Sequence, residues 1–225
     1  MKTRQSGFTL VEIAIVLVII GLLLGGVLKG EELISSAKVK NLATDFRNTP
    51  LFIYAYQDKF RALPGDDAAA GSHISGAATA TPTSSLGNGV INGNWNSAVT
   101  TDESYLFWQH IRLANLTNGS TTVGAADYLP VNAVGGTLGL QSGTSIAANS
   151  PIKDANTKAI RGTFILCSSG IAGKLAKQLD MQIDDGNTAG GAMLATPTSG
   201  YNLGSPATAT ADIDDATSYT VCMGV

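Results

Sequence analysis

The sequence predicts an α+β fold in which one long N-terminal α-helix packs on a small antiparallel β-sheet with extended loops. Three observations lead to this class. Residues 13–28 contain no polar side chain, and the apolar pattern then continues at helical spacing to about residue 62. The rest of the chain alternates short strand-like segments with turns rich in Gly, Ser, Thr and Asn. Charged residues make up 14% of the chain, against roughly 25% in ordinary soluble domains, which favours an exported, loop-rich surface protein.

The apolar run is long enough to cross a membrane. A helix from Phe8 to Leu28 has about 21 residues and, at about 1.5 Å per residue, spans the ~30 Å hydrocarbon core of a bilayer. Lys2 and Arg4 precede the run, and basic residues stay on the cytoplasmic side. We therefore expect an inner-membrane precursor that spans the bilayer once, with its C-terminal domain outside the cytoplasm.

Residues 29–62 continue this helix as an amphipathic segment. Its apolar side chains recur at steps of three and four, as expected for one helical face: Ile34, Ala37, Leu42, Phe46, Ile53, Tyr56 and Phe60. Pro50 removes one helical hydrogen bond and predicts a kink. Gly25, Gly26 and Gly30 mark the place where the helix would melt first in an assembly.

The remaining residues, 63–225, are expected to form the globular domain. Turn chemistry after Pro64 ends the long helix, and Thr100 and Glu103 offer a capping box for a short helix. The apolar side chains of that short helix fit a buried face better than a ligand platform: Tyr105, Leu106, Trp108, Ile111 and Leu113. Further elements are predicted as strands over 128–134, 137–141, 159–167 and 219–223 and a helix over 171–183. Antiparallel pairing is the simplest arrangement, and the strand order is left open.

The start of the apolar run carries the most specific motif. Gly7 precedes Phe8, and Glu12 follows at fixed spacing, whereas no small-residue cleavage pattern follows Leu28. The segment GFTLVE resembles the class III signal of type IV prepilins and pseudopilins. The resemblance implies that a membrane peptidase cleaves between Gly7 and Phe8 and methylates the amine of Phe8. Residues 1–7 would then be a cleaved leader, and residues 8–28 the transmembrane and assembly half of the helix.

The resemblance implies a pilin fold and a structural rather than an enzymatic role. The chain would polymerise through its apolar helix, alone or in a mixed pilus. Its other partners would be the prepilin peptidase, the inner-membrane assembly machinery and, before assembly, membrane lipid. Glu12 would pair with the amine of Phe8 on a neighbouring subunit and so set the axial register. A pair within one chain and an interfacial glutamate favoured by the helix dipole are the alternatives.

Several hypotheses about the function remain open at this point. A type IV pilus and a type II secretion pseudopilus both fit the signal, and the resemblance of residues 60–67 and the Trp108 helix to uncharacterised prepilin-like proteins does not separate them. A membrane-tethered adhesin or ligand-binding protein would leave Glu12 and the Gly7–Phe8 junction without a purpose. An exported hydrolase is a third possibility. Phosphate-loop, nucleophile-elbow and zinc patterns are absent from the sequence. His73 and His110 lie far apart, and His110 is expected on the surface.

The net charge of −3 becomes −5 when Lys2 and Arg4 leave with the leader, which excludes nucleic-acid binding by bulk charge. The two cysteines, Cys167 and Cys222, enclose 54 residues and would lie in an oxidising compartment. A disulfide there would stabilise the fold by about 4 kcal/mol, and the resemblance implies such a pair around a C-terminal region. Two buried thiols are the alternative.

The sequence implies no cofactor other than calcium, which some pseudopilins bind in their C-terminal region. Asp180, Asp184, Asp185 and Asn187 place oxygen ligands within eight residues, although without the spacing of an EF-hand loop. A solvated helix end followed by a turn explains the same residues. A second acidic set is equally compatible: Asp212, Asp214 and Asp215.

Overall fold

The computed structural model describes residues 10–225, so the predicted leader and the predicted helix start at Phe8 lie outside the described residues. The predicted α+β architecture is confirmed: a long N-terminal helix is accompanied by a small antiparallel sheet of four strands, as in pilins. The chain divides into two compact units, of which the first ends at Lys38 and the second runs from Val39 to Val225.

The long helix, α1, spans Leu10–Phe60 and includes Pro50. It ends two residues before the predicted boundary because Arg61 adopts a left-handed backbone conformation, with φ of 58°. The kink at Pro50 stays a prediction. Within the second unit, α1 buries one face whose residues follow the predicted three-and-four spacing: Val39, Leu42, Ala43, Phe46, Thr49, Ile53 and Tyr56. Ile34 and Ala37, which the same pattern included, are exposed.

Three shorter α-helices follow: α2 (Ala70–His73), α3 (Glu103–Leu113) and α4 (Gly173–Ile183). Single 3₁₀ turns occur at Thr83–Ser85, Ala147–Asn149 and Thr210–Asp212. Helix α3 is the predicted aromatic helix, and its side chains are buried from Glu103 to Arg112, so its aromatic residues belong to the core.

The capping box predicted for α3 is wrong. Asp102 occupies the N-cap position, and its side chain makes no capping hydrogen bond. Instead, the Asp102 carboxylate accepts a hydrogen bond from the Ser97 hydroxyl at 2.5 Å, and the Glu103 carboxylate accepts one from the backbone N–H of Asn92 at 2.8 Å. Both acidic side chains therefore hold the preceding loop rather than the end of the helix.

The strands are β1 (Leu138–Ser142), β2 (Ile152–Lys153), β3 (Phe164–Ala172), β4 (Met193–Pro197), β5 (Ser205–Pro206) and β6 (Ser218–Gly224). The main sheet has the order β1-β3-β6-β4, and all its pairs are antiparallel. Strands β2 and β5 form a separate parallel pair. The C-terminal strand β6 therefore lies inside the sheet, and β4 is one of its edges.

Three of the element predictions need correction. The strand predicted over 128–134 is wrong: Tyr128 is buried, its hydroxyl donates to the carbonyl of Tyr105 at 2.9 Å, and the residues after it form bends and turns with a single antiparallel bridge between Val131 and Thr137. The predicted strand over 159–167 starts too early, because β3 begins at Phe164. Since β3 continues to Ala172, the helix predicted from Ile171 starts at Gly173. Strand β4 was not predicted.

The main sheet is buried on both faces. Leu166 of β3 belongs to the main core together with Phe46 of α1, whereas its neighbours Ile165 and Cys167 belong to a second apolar cluster with Trp95. Because successive strand residues point to opposite faces, a sheet covered on both sides reads as a continuous apolar run. This is why β3 shows no alternation of apolar and polar residues.

Candidate functional site

The N-terminal part of α1 presents a continuous apolar surface. Every residue from Leu10 to Lys29 is exposed, including Leu10 at 91% and Leu22 at 73%. Among residues 10–225, α1 is the helix that is long and apolar enough to cross a membrane, and its most apolar 18-residue window has a mean hydropathy of 2.8. Exposed apolar surface of this extent is unfavourable in water, and the helix is consistent with a membrane-anchored precursor.

Glu12 lies in the first turn of α1 as the structure describes it. It is the ionisable side chain between Leu10 and Leu28, and a carboxylate is favoured near a helix N-terminus by the helix dipole. Gly7 and Phe8, the residues of the predicted cleavage and methylation site, lie outside the described residues. Cleavage, methylation and the intersubunit role of Glu12 therefore stay predictions.

Cys167 and Cys222 form a disulfide. Cys167 is the register partner of Cys222 where β3 pairs with β6, and both side chains are fully buried in the second apolar cluster. The cross-link therefore joins two neighbouring strands inside the sheet and closes a sequence separation of 55 residues.

Three of the four predicted calcium ligands converge at the C-terminal end of α4. One carboxylate oxygen each of Asp180, Asp184 and Asp185 lies within 4.8 Å of the others. Asp184 Oδ2 accepts hydrogen bonds from the backbone N–H groups of Ala192 at 2.6 Å and Met193 at 3.0 Å. The carboxylate of Asp184 therefore ties the end of α4 to the start of β4.

Asp180 has an unusual environment within this cluster. Its side chain is fully buried, and neither carboxylate oxygen has a partner with good hydrogen-bond geometry among the described residues, although the backbone of Gly186 interacts with it and slightly opposes the rise of its pKa. Burial, together with the neighbouring charges of Asp184 and Asp185, raises the pKa of Asp180 to about 7. The site therefore favours any species that reduces its negative charge, such as a proton or a cation.

The other predicted ligands are used differently. The Asn187 side-chain oxygen accepts a hydrogen bond from the Ala189 N–H at 3.3 Å, so it shapes the turn. In the second acidic set, Asp215 pairs with Lys177 at 2.5 Å. The carboxylate of Asp214 accepts from the Ala216 N–H at 2.8 Å.

The expected surface position of His110 is wrong. His110 is fully buried: its Nδ1 accepts the backbone N–H of Gly65 at 2.9 Å, and its Nε2 lies 2.7 Å from the carbonyl of Ala78. These partners require a neutral ring protonated at Nε2, because Nδ1 acts as an acceptor. Burial lowers the pKa of His110 and outweighs the opposing effects of the Ala78 hydrogen bond and of Asp67.

The structure also reveals a polar network around Asp67 that the sequence did not single out. The buried Asp67 carboxylate accepts the Tyr56 hydroxyl at 2.8 Å and lies 2.7 Å from His73 Nδ1. Burial raises the pKa of Asp67, but the hydrogen bonds from His73, Tyr56 and Ala69 lower it more, so that it lies below its usual range. The network links α1 to the loop after it, and its outer side, with His73, lines a cleft of about 590 Å³.

Residues 2–28 match the family model described as the prokaryotic N-terminal methylation motif. This motif is the prepilin-type signal of type IV pilins and pseudopilins, whose role is structural rather than enzymatic. The match covers residues 2–7 of the predicted leader and the apolar run, and it stops at Leu28. No curated protein and no solved structure matches the chain.

Proposed function

We propose that this chain is a structural subunit of a type IV pilus. The chain carries the prepilin-type signal of pilin-type proteins, and its long apolar helix is consistent with a membrane-anchored precursor. The proposal that the chain polymerises is supported by one observation: every residue from Leu10 to Lys29 is exposed on α1. An apolar helix of this kind lies in lipid before assembly and against the helices of other subunits afterwards.

Processing generates the assembly-competent form in this proposal. The prepilin peptidase removes residues 1–7 and methylates the new amine of Phe8, so that residues 8–28 begin with a positive charge four residues before Glu12. In a filament core the effective dielectric is low, and a carboxylate is costly there unless a cation pairs with it. Pairing of Glu12 with the Phe8 amine of the next subunit fixes one axial step of the filament.

The globular domain then forms the outer surface of the filament. Its core encloses the buried face of α1 from Val39 to Tyr56, and the disulfide holds the C-terminal strand β6 to β3. These features support a subunit whose folded domain withstands an extracellular environment. They fit a pilus, whereas a short periplasmic pseudopilus is the alternative that shares the same signal.

Mechanical shearing of cells, followed by mass spectrometry of the released fibres, tests the proposal. We expect this chain to be the main component of long surface filaments. Recovery of the chain from short periplasmic fibres that depend on a secretion system would favour the pseudopilus instead. Recovery from the membrane fraction as single copies would contradict filament assembly and favour a tethered adhesin or ligand-binding protein.

A further inference from the structure

We propose that the folded domain binds a neutral oligosaccharide in a groove beside the second apolar cluster. Two clefts, of about 370 and 450 Å³, share Asn96 and Tyr201, and together they are called the Tyr201 groove. Each volume lies within the roughly 300–1,000 Å³ that is usual for ligand sites. The inference goes beyond the proposed function, because it concerns the folded domain and does not depend on whether the chain polymerises.

One wall of the Tyr201 groove is a row of hydroxyl residues across the main sheet. Each strand, or the residue next to its end, contributes one member to the row. In the sheet order β1-β3-β6-β4 the members are Thr137, Ser169, Thr220 and Thr198. A hydroxyl group can donate one hydrogen bond and accept two, so the row can both donate to a ligand and accept from it.

Contacts within the row hold these hydroxyl groups in place. The Thr198 and Thr220 hydroxyl oxygens lie 3.2 Å apart, and Thr220 is buried while Thr198 is half-buried. The Ser169 hydroxyl accepts the N–H of Thr137 at 3.0 Å. Thr220 lies two residues before Cys222, whose disulfide joins β6 to β3. The row is therefore ordered before a ligand arrives, which lowers the entropy lost on binding.

An aromatic pair forms a second wall of the groove. The indole N–H of Trp95 donates to the Tyr201 hydroxyl at 2.7 Å, and that hydroxyl donates to the carbonyl of Pro151 at 3.0 Å. The two rings meet edge to face, with centroids 5.7 Å apart. Trp95 is buried and Tyr201 is half-buried. Because the Tyr201 hydroxyl is used within the protein, its ring is the part that a ligand can contact.

Side-chain amides lie along the rim of the groove, on three exposed residues: Asn94, Asn96 and Asn202. Within residues 10–225, the side chain of Asn96 takes part in no hydrogen bond. An amide offers two N–H donors and one carbonyl acceptor. The amide of Asn96 is therefore available to a ligand that fills either cleft.

The groove is uncharged. Among the described residues, those that line its two clefts include no Asp, Glu, Lys, Arg or His, whereas the cleft beside His73 includes Arg61 and Asp66. Burial raises the pKa of Tyr201 to about 12 and outweighs the opposing hydrogen bond from Trp95. A charged ligand would lose hydration here without gaining an opposite charge, so the groove favours a neutral one.

A sugar unit matches the hydroxyl row, the aromatic wall and the amide rim at once. Its C–H face packs against an aromatic ring, while its hydroxyl groups both donate and accept hydrogen bonds. A purely apolar ligand would instead bury the hydroxyl row without partners, which is costly. Two or more linked sugar units can fill both clefts and keep contact with Tyr201. The ligand class is therefore a neutral oligosaccharide.

The test uses the full chain in dodecylphosphocholine micelles, since a detergent with a sugar headgroup would compete for the groove. Cellohexaose, maltohexaose and chitohexaose are titrated separately and followed by calorimetry and tryptophan fluorescence. We expect at least one of them to bind saturably and to change the fluorescence of Trp95. Trp108 is buried in the main core, so Trp95→Phe should remove most of the fluorescence change.

Substitutions in the groove locate the binding site. Tyr201→Ala should weaken binding at least about tenfold, because the ligand loses its aromatic contact. Tyr201→Phe keeps the ring and should bind within about threefold of the unaltered chain. Asn96→Ala should weaken binding about threefold to tenfold, the effect of one hydrogen bond. Asn156→Ala, which changes an exposed asparagine on another loop, is the matched control and should bind normally.

Three outcomes would overturn the proposal. One is the absence of binding by all three neutral oligosaccharides up to about 10 mM, beyond the millimolar range of weak ligands. Another is unchanged affinity in both Asn96→Ala and a folded Tyr201→Ala variant, which would place any binding elsewhere. The third is equal or tighter binding of the acidic hexagalacturonate, which an uncharged groove should disfavour. Failure of the chain to form filaments would leave all of these measurements unaffected.

Discussion

Cys167 lies directly opposite Cys222 in the pairing of β3 with β6, and a disulfide joins the two residues inside the sheet. Strand β6 contains the C-terminal residues Ser218–Gly224 and separates β3 from β4. Detachment of β6 would therefore divide the sheet, and the disulfide prevents it by joining β6 covalently to β3.

The double variant Cys167→Ala/Cys222→Ala should be less stable by about 4 kcal/mol, because the cross-link restricts the unfolded chain over a separation of 55 residues. Denaturant unfolding of the variant and of the oxidised protein measures this difference. The reduced, unaltered protein is the control and should lose stability by a similar amount. Recovery of two alkylatable thiols from native, unreduced protein would contradict the bonded state.

Because His110 is buried, we expect it to lower the free energy of unfolding in mild acid. Burial depresses its pKa in the folded state, while the unfolded chain takes up a proton near pH 6.5. The unfolded state then binds more protons, so stability is complete above about pH 6.5 and falls below it, by at most about 1.4 kcal/mol per pH unit from this residue.

Unfolding curves of the unaltered chain and of His110→Gln at pH 7.5 and 5.5 test this dependence. Buried Asp180, whose pKa is raised to about 7, has the opposite pH dependence in both proteins, so the prediction concerns their difference. The stability of the variant relative to the unaltered chain should increase from pH 7.5 to pH 5.5. His73 is present in both proteins, so the difference between them isolates His110. Equal pH dependence of the two proteins would show that His110 does not contribute.

Glu12→Ala should prevent filament assembly and leave folding intact. Glu12 belongs to the first compact unit, so its loss should change the free energy of unfolding of the folded domain by less than about 0.5 kcal/mol. In the filament, however, the Phe8 amine of a neighbour would lose its partner in a low dielectric. Sheared filament yield by immunoblot is the measurement.

Two further variants test whether the charge of Glu12 is responsible, one at this position and one as a control. Glu12→Gln keeps the shape and removes the charge, so it should fail in the same way if the ion pair is responsible. Glu31→Ala removes an exposed carboxylate from the same helix beyond the apolar run and should assemble normally. Wild-type filament length and abundance for Glu12→Ala would favour the interfacial role of Glu12.

Gly7→Val should leave full-length precursor in the inner membrane, because the peptidase is expected to require a small residue before the cleaved bond. Gly21→Val is a matched control on the apolar helix, where a side chain at residue 21 meets nothing within 4 Å in the isolated chain. Immunoblots of membrane fractions distinguish precursor from mature chain. Normal processing of Gly7→Val would contradict the cleavage assignment.

The three longer helices were predictable from sequence because their apolar patterns are periodic, whereas the four-residue helix α2 was not predicted. In α1 the residues Leu42, Phe46, Ile53 and Tyr56 are buried as the spacing required. Prediction was weaker in the sheet, whose two faces are both covered. The apolar run at Phe164 showed no alternation between apolar and polar residues, and β4 is short, follows Gly190 and Gly191 closely and ends at Pro197.

The environments of the predicted site residues could not be predicted, because they depend on contacts between residues that are far apart in the sequence. The acidic residues near Asp180 were identifiable as candidate oxygen ligands, but the burial of Asp180 depends on how α4 packs in the fold. His110 lay among apolar helix residues, yet its partners Gly65 and Ala78 come from the loops before the helix. No local pattern could reveal those bonds.

The N-terminus of the chain in assembled filaments tests the central claim most directly. Sheared filaments should yield an N-terminal peptide that begins at Phe8 and carries one methyl group on its amine, in stoichiometric amount with peptides of the globular domain. Such a peptide would show that the processed chain is itself the polymerised species. Filaments that lack this chain, or a chain that still begins at Met1 or starts after Leu28, would contradict the account.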